Sequence, residues 1–433
     1  MKHLIGRRAL VLVSLLLLLL GSVGGAGAQD PVTITWWTLA SAESPEPAIR
    51  AVVEAFEAEH PNIKVDVTIM AESAYGDLMN TTIGAGEGAP DIAYFWETPW
   101  LPHTLDITDR LEADPDLSRD DYFEEYFNNW AVYNGRVVGL PFTVGANFVM
   151  YNKDVFDEAG VDYPTADWTP WEYIEIATAL TDPDKRRWGG DRPRGPFRAI
   201  WRNIGATKPY SDDSATVEGY INGPDAVAAY TWLWDLVDSG ATPTPADIEV
   251  LGTEGTGPVD LFIAGRLGMA TLNNGHMITA ANAGVNFGVV PEPHVPDNER
   301  FVHAWALRAS IWAGTEHPDE AYEFLSFWAG PEGQRINMEI GALMPSLPAV
   351  LEDYPDAEAD YFQGFMGVLN ATQTAEWRAT HPCWRGAVIR AVSDAWDLIM
   401  LGEIERDEVQ ATLDAMVEPG QAALDECVPR LGG

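Results

Sequence analysis

Val32-Thr33-Ile34-Thr35-Trp36-Trp37 alternates β-branched and bulky residues with a period of two, which predicts a β-strand. After Pro45 and Pro47 the apolar residues Ile49, Val52, Val53 and Phe56 recur at the spacing of one helix face, and the stripe stops before Pro61. Ile63, Val65, Val67 and Ile69 then alternate strictly, predicting a second strand. A glycine-rich turn, Gly84 to Gly88, leads into a third, Asp91-Ile92-Ala93-Tyr94-Phe95. Strands alternating with a helix in this order predict an α/β fold with a parallel sheet and right-handed crossovers.

Upstream of that core the chain reads as an export leader. Lys2, Arg7 and Arg8 are followed by an apolar run from Ala9 to Leu20 and by Ala26-Gly27-Ala28, so residues 1–28 are expected to be a signal peptide cleaved after Ala28. The apolar run is shorter than the roughly 20 residues a membrane span needs. No cysteine stands at the cleavage position, which favours a freely soluble periplasmic or secreted protein over a lipoprotein. The chain beyond the leader is long enough for two large domains or three small ones, at roughly 100–200 residues each.

Downstream, residues 150–270 are mainly helical with irregular loops that carry tryptophans, and 182–196 reads as an exposed loop. Short strands are expected around Leu267–Leu272, Phe287–Val290 and Ala304–Ile311. Ala321, Phe324, Leu325 and Trp328 mark a helix after Pro318, and the tail from Ala387 reads as two helices.

Charge narrows the partners. A net charge of −40 repels nucleic acid and anionic membranes, and it argues against a strongly anionic ligand. The 46% hydrophobic content is ample for globular cores. Enzymatic motifs are missing: there is no G-x-S-x-G, no H-E-x-x-H and no P-loop, and the eight histidines are scattered. Neither a catalytic function nor a metal or cofactor is therefore expected. Cys383 and Cys427 are the sole cysteines, and in an exported chain they predict a structural disulfide.

Five segments, taken in order, carry a resemblance. They are Trp36-Trp37 with Pro61-Asn62-Ile63-Lys64-Val65; Gly86-Glu87-Gly88-Ala89-Pro90-Asp91-Ile92 running into Phe95-Trp96; and Asn134-Gly135-Arg136-Val137-Val138-Gly139-Leu140-Pro141 with Tyr151-Asn152-Lys153-Asp154. The last two are Phe262–Ala270 leading to Asn273-Asn274-Gly275, and Ala304-Trp305-Ala306-Leu307 followed by Gly330-Pro331-Glu332-Gly333. Over nearly its whole length beyond the leader the chain resembles the extracellular solute-binding proteins of family 1, the group containing maltose-binding protein. The resemblance implies a periplasmic-binding-protein-like fold of type II, two α/β lobes with a ligand cleft between them. Lobe 1 is expected to hold residues 29–143 plus 272–315, and lobe 2 residues 144–271 plus 316–433. Crossings are expected near Pro141–Asn147, near Met269–Asn274 and after Ile311. The implied function is capture of a neutral mono- or oligosaccharide for an ABC importer, by a monomer whose partners are that sugar and the membrane permease subunits. An acidic residue of the relatives is matched here by Gly145, and a glycine pair by His303-Ala304, departures that weigh against maltose itself more than against the family.

Sugars offer flat C–H faces ringed by hydroxyls, so a sugar site needs aromatic platforms edged by polar groups. The resemblance makes Trp96 a stacking residue and places Trp201 near a second platform. Glu97 and Trp100 share the loop of Trp96, while Trp37 ends a predicted strand with Trp36 on the opposite face. Glu72 follows the second strand, and Asn147 follows the first crossing. Asn274 and His276 follow the expected second crossing. Trp305 begins the last strand and shares its face with His303. Trp384 is a candidate from the C-terminal region. For each the competing reading is core packing or a solvated surface. Two other functions stay open: a secreted carbohydrate-active enzyme such as a glycoside hydrolase, which needs two carboxylates about 5–10 Å apart, and a binding protein for a glycerol phosphodiester or a polyamine.

Overall fold

The structure, a computed structural model, describes residues 31–39, 45–86, 88–95, 98–192, 199–205, 209–211, 213, 215–250, 257–296, 298, 300–341, 344–370, 373–374 and 388–427. The expected signal peptide lies outside them, as do Trp96, Glu97, Trp384 and Cys383. So do the side chains of Glu72 and Cys427, and no disulfide is found among the described residues.

Eleven strands are described: β1 (Val32–Leu39), β2 (Ile63–Met70), β3 (Ile92–Ala93), β4 (Val132–Tyr133), β5 (Arg136–Val137), β6 (Leu140–Asn152), β7 (Met269–Asn273), β8 (Phe287–Val290), β9 (Phe301–Val302), β10 (Ala304–Ile311) and β11 (Gln373–Thr374). β1 and β2 pair in parallel from Val32↔Ile63 to Leu39↔Met70, and β3 joins β1 in parallel at Trp36↔Ile92. The crossover helix Glu46–Glu59 buries Ile49, Val52 and Phe56 of the stripe its sequence announces, together with Ala48, while Val53 is only partly buried. One sheet runs through the molecule in the order β2-β1-β3-β10-β6-β7, with β8 also paired to β6.

The sheet is continuous because β6 is 13 residues long. Its first half pairs antiparallel with β10, and its second half pairs antiparallel with β7 and β8. The strand is entered from the β4–β5 hairpin, whose turn is Asn134-Gly135 with φ of 50° and 77°. Both residues are left-handed, as the two-residue hairpin turn that matches strand twist requires, and Asn-Gly is the pair that tolerates this best. β6 ends where the Asn152 side chain accepts a hydrogen bond from Val155 N–H and caps the next helix.

Each end of the sheet has its own core. The first packs Trp36, Phe56 and Phe142 against Phe324 and Trp328 of the helix Pro318–Ala329. The second gathers Trp168, Tyr173, Trp201, Tyr230 and Trp232 with Trp396 of the helix Ile389–Leu401. Between them, Val144, Ala146 and Phe148 of β6 meet Phe287, Phe362 and Phe365, and also Phe123, Tyr126 and Trp130.

This packing revises the expected lobe boundaries. Residues 316–433 are not all in the second lobe: the helices Pro318–Ala329 and Pro331–Glu339 and residues Leu347 and Val350 belong to the first core. Likewise Met277, Ala280, Phe287 and Val289, expected in the first lobe, pack in the middle cluster against the second half of β6. The crossings move accordingly. β7 pairs wholly with the second half of β6, so Met269–Asn274 is not a crossing. β10 itself carries the chain back, rather than the residues after Ile311, since it pairs with β6 at one end and β3 at the other. Met344 returns alongside β6, where its carbonyl accepts from Thr143 Oγ1 at 2.7 Å and Val144 N–H at 3.1 Å.

Asp91, just before β3, ties β1 to the turn that follows β10. Its carboxylate accepts from Thr35 N–H at 2.7 Å, from Thr35 Oγ1 at 2.8 Å and from the Thr315 hydroxyl. Asp91→Ala leaves those donors without their acceptor and is expected to cost about 2 kcal/mol, the scale of a lost hydrogen bond to a charged group. Urea denaturation checks this; an unchanged midpoint would show the cluster to be dispensable.

Among the described residues no helix is long and apolar enough to cross a membrane.

Candidate ligand-binding face

Strand alternation sorts the middle of the sheet into two faces. On one, Val144, Ala146, Phe148 and Met150 of β6 lie beside Ala304 and Ala306 of β10 and Ala270 and Leu272 of β7, all buried in the middle cluster. On the other, Asn147, Asn273, His303, Trp305 and Leu307 are only partly buried, with Trp305 also packing against the edge of the middle cluster. This second face lies where both lobes share the same strands.

Its geometry is set by backbone register. Trp305 stands directly across from Gly145, and Asn147 across from Asn273. Asn147 N–H donates to the His303 carbonyl at 2.8 Å, which places His303, just ahead of β10, in one row with Asn147 of β6 and Asn273 of β7. The Trp305 indole lies over Gly145 so closely that a Cβ added there would fall 2.2 Å from the ring. Only glycine leaves room for the indole to lie over the strand. The His303 and Trp305 rings sit 5.8 Å apart at 46°. The indole N–H of Trp305 and the side-chain amide of Asn147 make no hydrogen bond among the described residues.

From behind, the helix Glu124–Trp130 braces this floor. Tyr126 and Trp130 stack at 5.6 Å, and the Tyr126 hydroxyl makes a long 3.5 Å contact to the Gly145 carbonyl. Burial pushes the Tyr126 phenol far above its ordinary range, so it stays a neutral donor.

The structure brings Asn147, His303 and Trp305 together and puts His276 nearby, in the first turn of the helix Asn274–Asn282. Asn273, which is not among the sequence candidates, caps that helix by accepting from His276 N–H at 3.1 Å. Three candidates are corrected. Asn274 is buried and spent on β6: it accepts from Ala146 N–H at 3.3 Å and donates to the Val144 carbonyl at 3.5 Å. Trp100 is 3% exposed and donates to Asn80 Oδ1 at 2.9 Å within the first lobe. Trp201 is 2% exposed and meets Tyr230 edge-on at 4.3 Å in the second core. Both indoles are packing residues. Trp37 does face away from Trp36, half-buried, but β1 runs two residues beyond it to Leu39, so it does not end the strand.

The arrangement offers a flat aromatic surface, one imidazole and two amides on a face with no Asp, Glu, Lys or Arg among Asn147, Thr271, Asn273, His303, Trp305 and Leu307. Such a face suits a ligand with apolar patches and hydroxyl edges.

Comparison with known proteins agrees with this architecture. The chain is similar to a solved ABC substrate-binding protein from Listeria monocytogenes in complex with cycloalternan, with a TM-score of 0.72 and 25% identity over 89% of this chain and 98% of that one. It is also similar to the sugar-binding protein MalE from Xanthomonas citri, with a TM-score of 0.73 and 18% identity over 91% and 98%. In sequence it is 22% identical to the melibiose/raffinose/stachyose-binding protein of Bacillus subtilis, over 84% of this chain and 85% of that protein. It is 24% identical to the sn-glycerol-3-phosphate-binding periplasmic protein of Rhizobium meliloti, over 69% and 67%. The family profile described as "Bacterial extracellular solute-binding protein" matches residues 41–335. With its two lobes strung on shared strands, the chain belongs to the bacterial extracellular solute-binding proteins.

Proposed function

We propose that this chain captures a neutral carbohydrate between its lobes and delivers it, chemically unchanged, to the permease of an ABC importer. The observation that carries this reading is the Trp305 indole laid across Gly145, beside His303 and Asn147. An aromatic face buries the C–H side of a sugar ring while amides and imidazole take its hydroxyls. The absence of ionised side chains from that row fits a neutral ligand better than a charged one. Trp37, Glu72, Trp96, Glu97, His276 and Trp384 remain proposed contacts around it, and export rests on the leader-like residues 1–28. A ligand that touches both lobes stabilises the closed arrangement by its differential contacts alone. Micromolar affinity corresponds to about −8 kcal/mol.

A second reading takes sn-glycerol 3-phosphate as the ligand, because two relatives are named for binding it. A thermal-shift screen separates the two. Purified protein is heated with raffinose, melibiose, maltose, an arabino-oligosaccharide, sn-glycerol 3-phosphate or spermidine, since a ligand that binds only the native state raises Tm. A rise of several degrees with a neutral sugar is expected. A response to glycerol phosphate alone overturns the carbohydrate reading in favour of the second, and a response to spermidine alone overturns both. A stabilising sugar that comes back cleaved overturns transport in favour of hydrolysis.

A further inference from the structure

Arg308 lies on β10 three residues beyond Trp305, roughly 10 Å along the strand. Its side chain leaves from the opposite face to Trp305, the one on which Ala304 and Ala306 are buried. One guanidinium nitrogen donates to the carbonyl of Trp130 and the other to that of Phe95. Trp130 is the last residue of the helix Glu124–Trp130, where backbone carbonyls lack intrahelical partners and carry partial negative charge. Phe95 lies just past β3 in the first lobe. One partly buried cation thus joins a crossing strand to the segment after β3 and to the end of the helix Glu124–Trp130 through charge-assisted bonds.

The local backbone explains why this happens at 308. Leu307 pairs with Thr143 but Arg308 pairs with Pro141, so Phe142 is skipped and the ladder shifts. Pro141 has no N–H to give the ladder, and bulges collect at such positions. The shift sits immediately beside Arg308, so the side-chain tie falls where the ladder is interrupted. Lysine has a single nitrogen and cannot reproduce a planar fork reaching two carbonyls.

We infer that Arg308 is a positioning residue for the binding face: it fixes β10, and with it Trp305, relative to Phe95 of the first core and Trp130 of the middle cluster. The role concerns where Trp305 stands rather than whether the protein folds. The affinity part of this inference rests on the carbohydrate reading; the local part does not.

The test compares wild type, Arg308→Met and Arg308→Lys in two measurements. Hydrogen exchange on the unliganded protein is expected to rise in peptides covering 92–104 and 124–133 in Arg308→Met, less so in Arg308→Lys. The helix Pro224–Asp238 in the second core should keep its protection. Titration with raffinose should give at least tenfold weaker binding for Arg308→Met and partial recovery for Arg308→Lys. Unchanged local exchange overturns the inference, and so does a rise spread evenly over both lobes, because the latter signals general destabilisation. Wild-type affinity in Arg308→Met overturns it as well. Should wild type itself ignore raffinose, the choice of sugar has failed, and the exchange result alone decides for or against Arg308.

Discussion

Trp305→Ala is expected to weaken carbohydrate binding about 30-fold or more, with little loss of stability. The effect is that of removing an aromatic anchor at the centre of a contact, worth about 2 kcal/mol or more, where each 1.4 kcal/mol is tenfold. The stability cost should stay small beside the loss of affinity, because the indole is only partly buried at the edge of the middle cluster and its strand is held by backbone pairing to β6 and, at its far end, β3. A second variant reaches the same ring from beneath. Gly145→Val puts a side chain where the indole lies and must displace it. Calorimetric titration with the sugar that most raises Tm checks both. If Trp305→Ala binds like wild type, the platform is elsewhere and Trp305 is only a packing residue of the sheet.

The largest stability effect is expected at the neighbouring tryptophan pair of β1. Trp36 is fully buried, with its ring 4.4 Å from Trp328 and 5.2 Å from Phe324. Trp36→Ala opens a cavity beneath the helix Pro318–Ala329 and should cost about 3–5 kcal/mol. Trp37 is half-buried on the other face, so Trp37→Ala should cost far less, about 1 kcal/mol by the smaller area it removes from water. Urea denaturation followed by circular dichroism measures both. Equal losses would mean that the two faces of β1 are equally packed, contrary to the structure.

That contrast also shows what the sequence made legible. Alternation in β1 and β2 and the helical stripe between them were readable because each has one buried face, and burial writes a period into the residues. The second half of β6 is harder to read. Phe148, Val149 and Met150 are all buried, because helices cover both faces there and no alternation survives. The stripe Ala321, Phe324, Leu325, Trp328 announced a buried helix, yet a period gives the face and not the partner. Its docking on Trp36 in the first core therefore could not be foreseen.

Tryptophan was the misleading signal. Trp100 and Trp201, both site candidates, are buried, and so are Trp130, Trp168, Trp232 and Trp328, the last in a stripe that did announce its burial. Those six indoles supply core volume, so an abundance of tryptophan does not by itself mark a sugar site. Trp305 stands apart through its pairing with Gly145, and that depends on strand register, which the sequence does not print. Arg308 was likewise invisible, since an arginine in a strand reads as a solvated charge until the carbonyls around it are known.

The most direct test of carbohydrate capture is calorimetric titration of the purified protein with the stabilising neutral sugar, followed by mass analysis of the ligand recovered from the complex. Saturable one-to-one binding is expected, with the sugar recovered at unchanged mass. Recovery of hydrolysed sugar, or binding confined to sn-glycerol 3-phosphate, would contradict it.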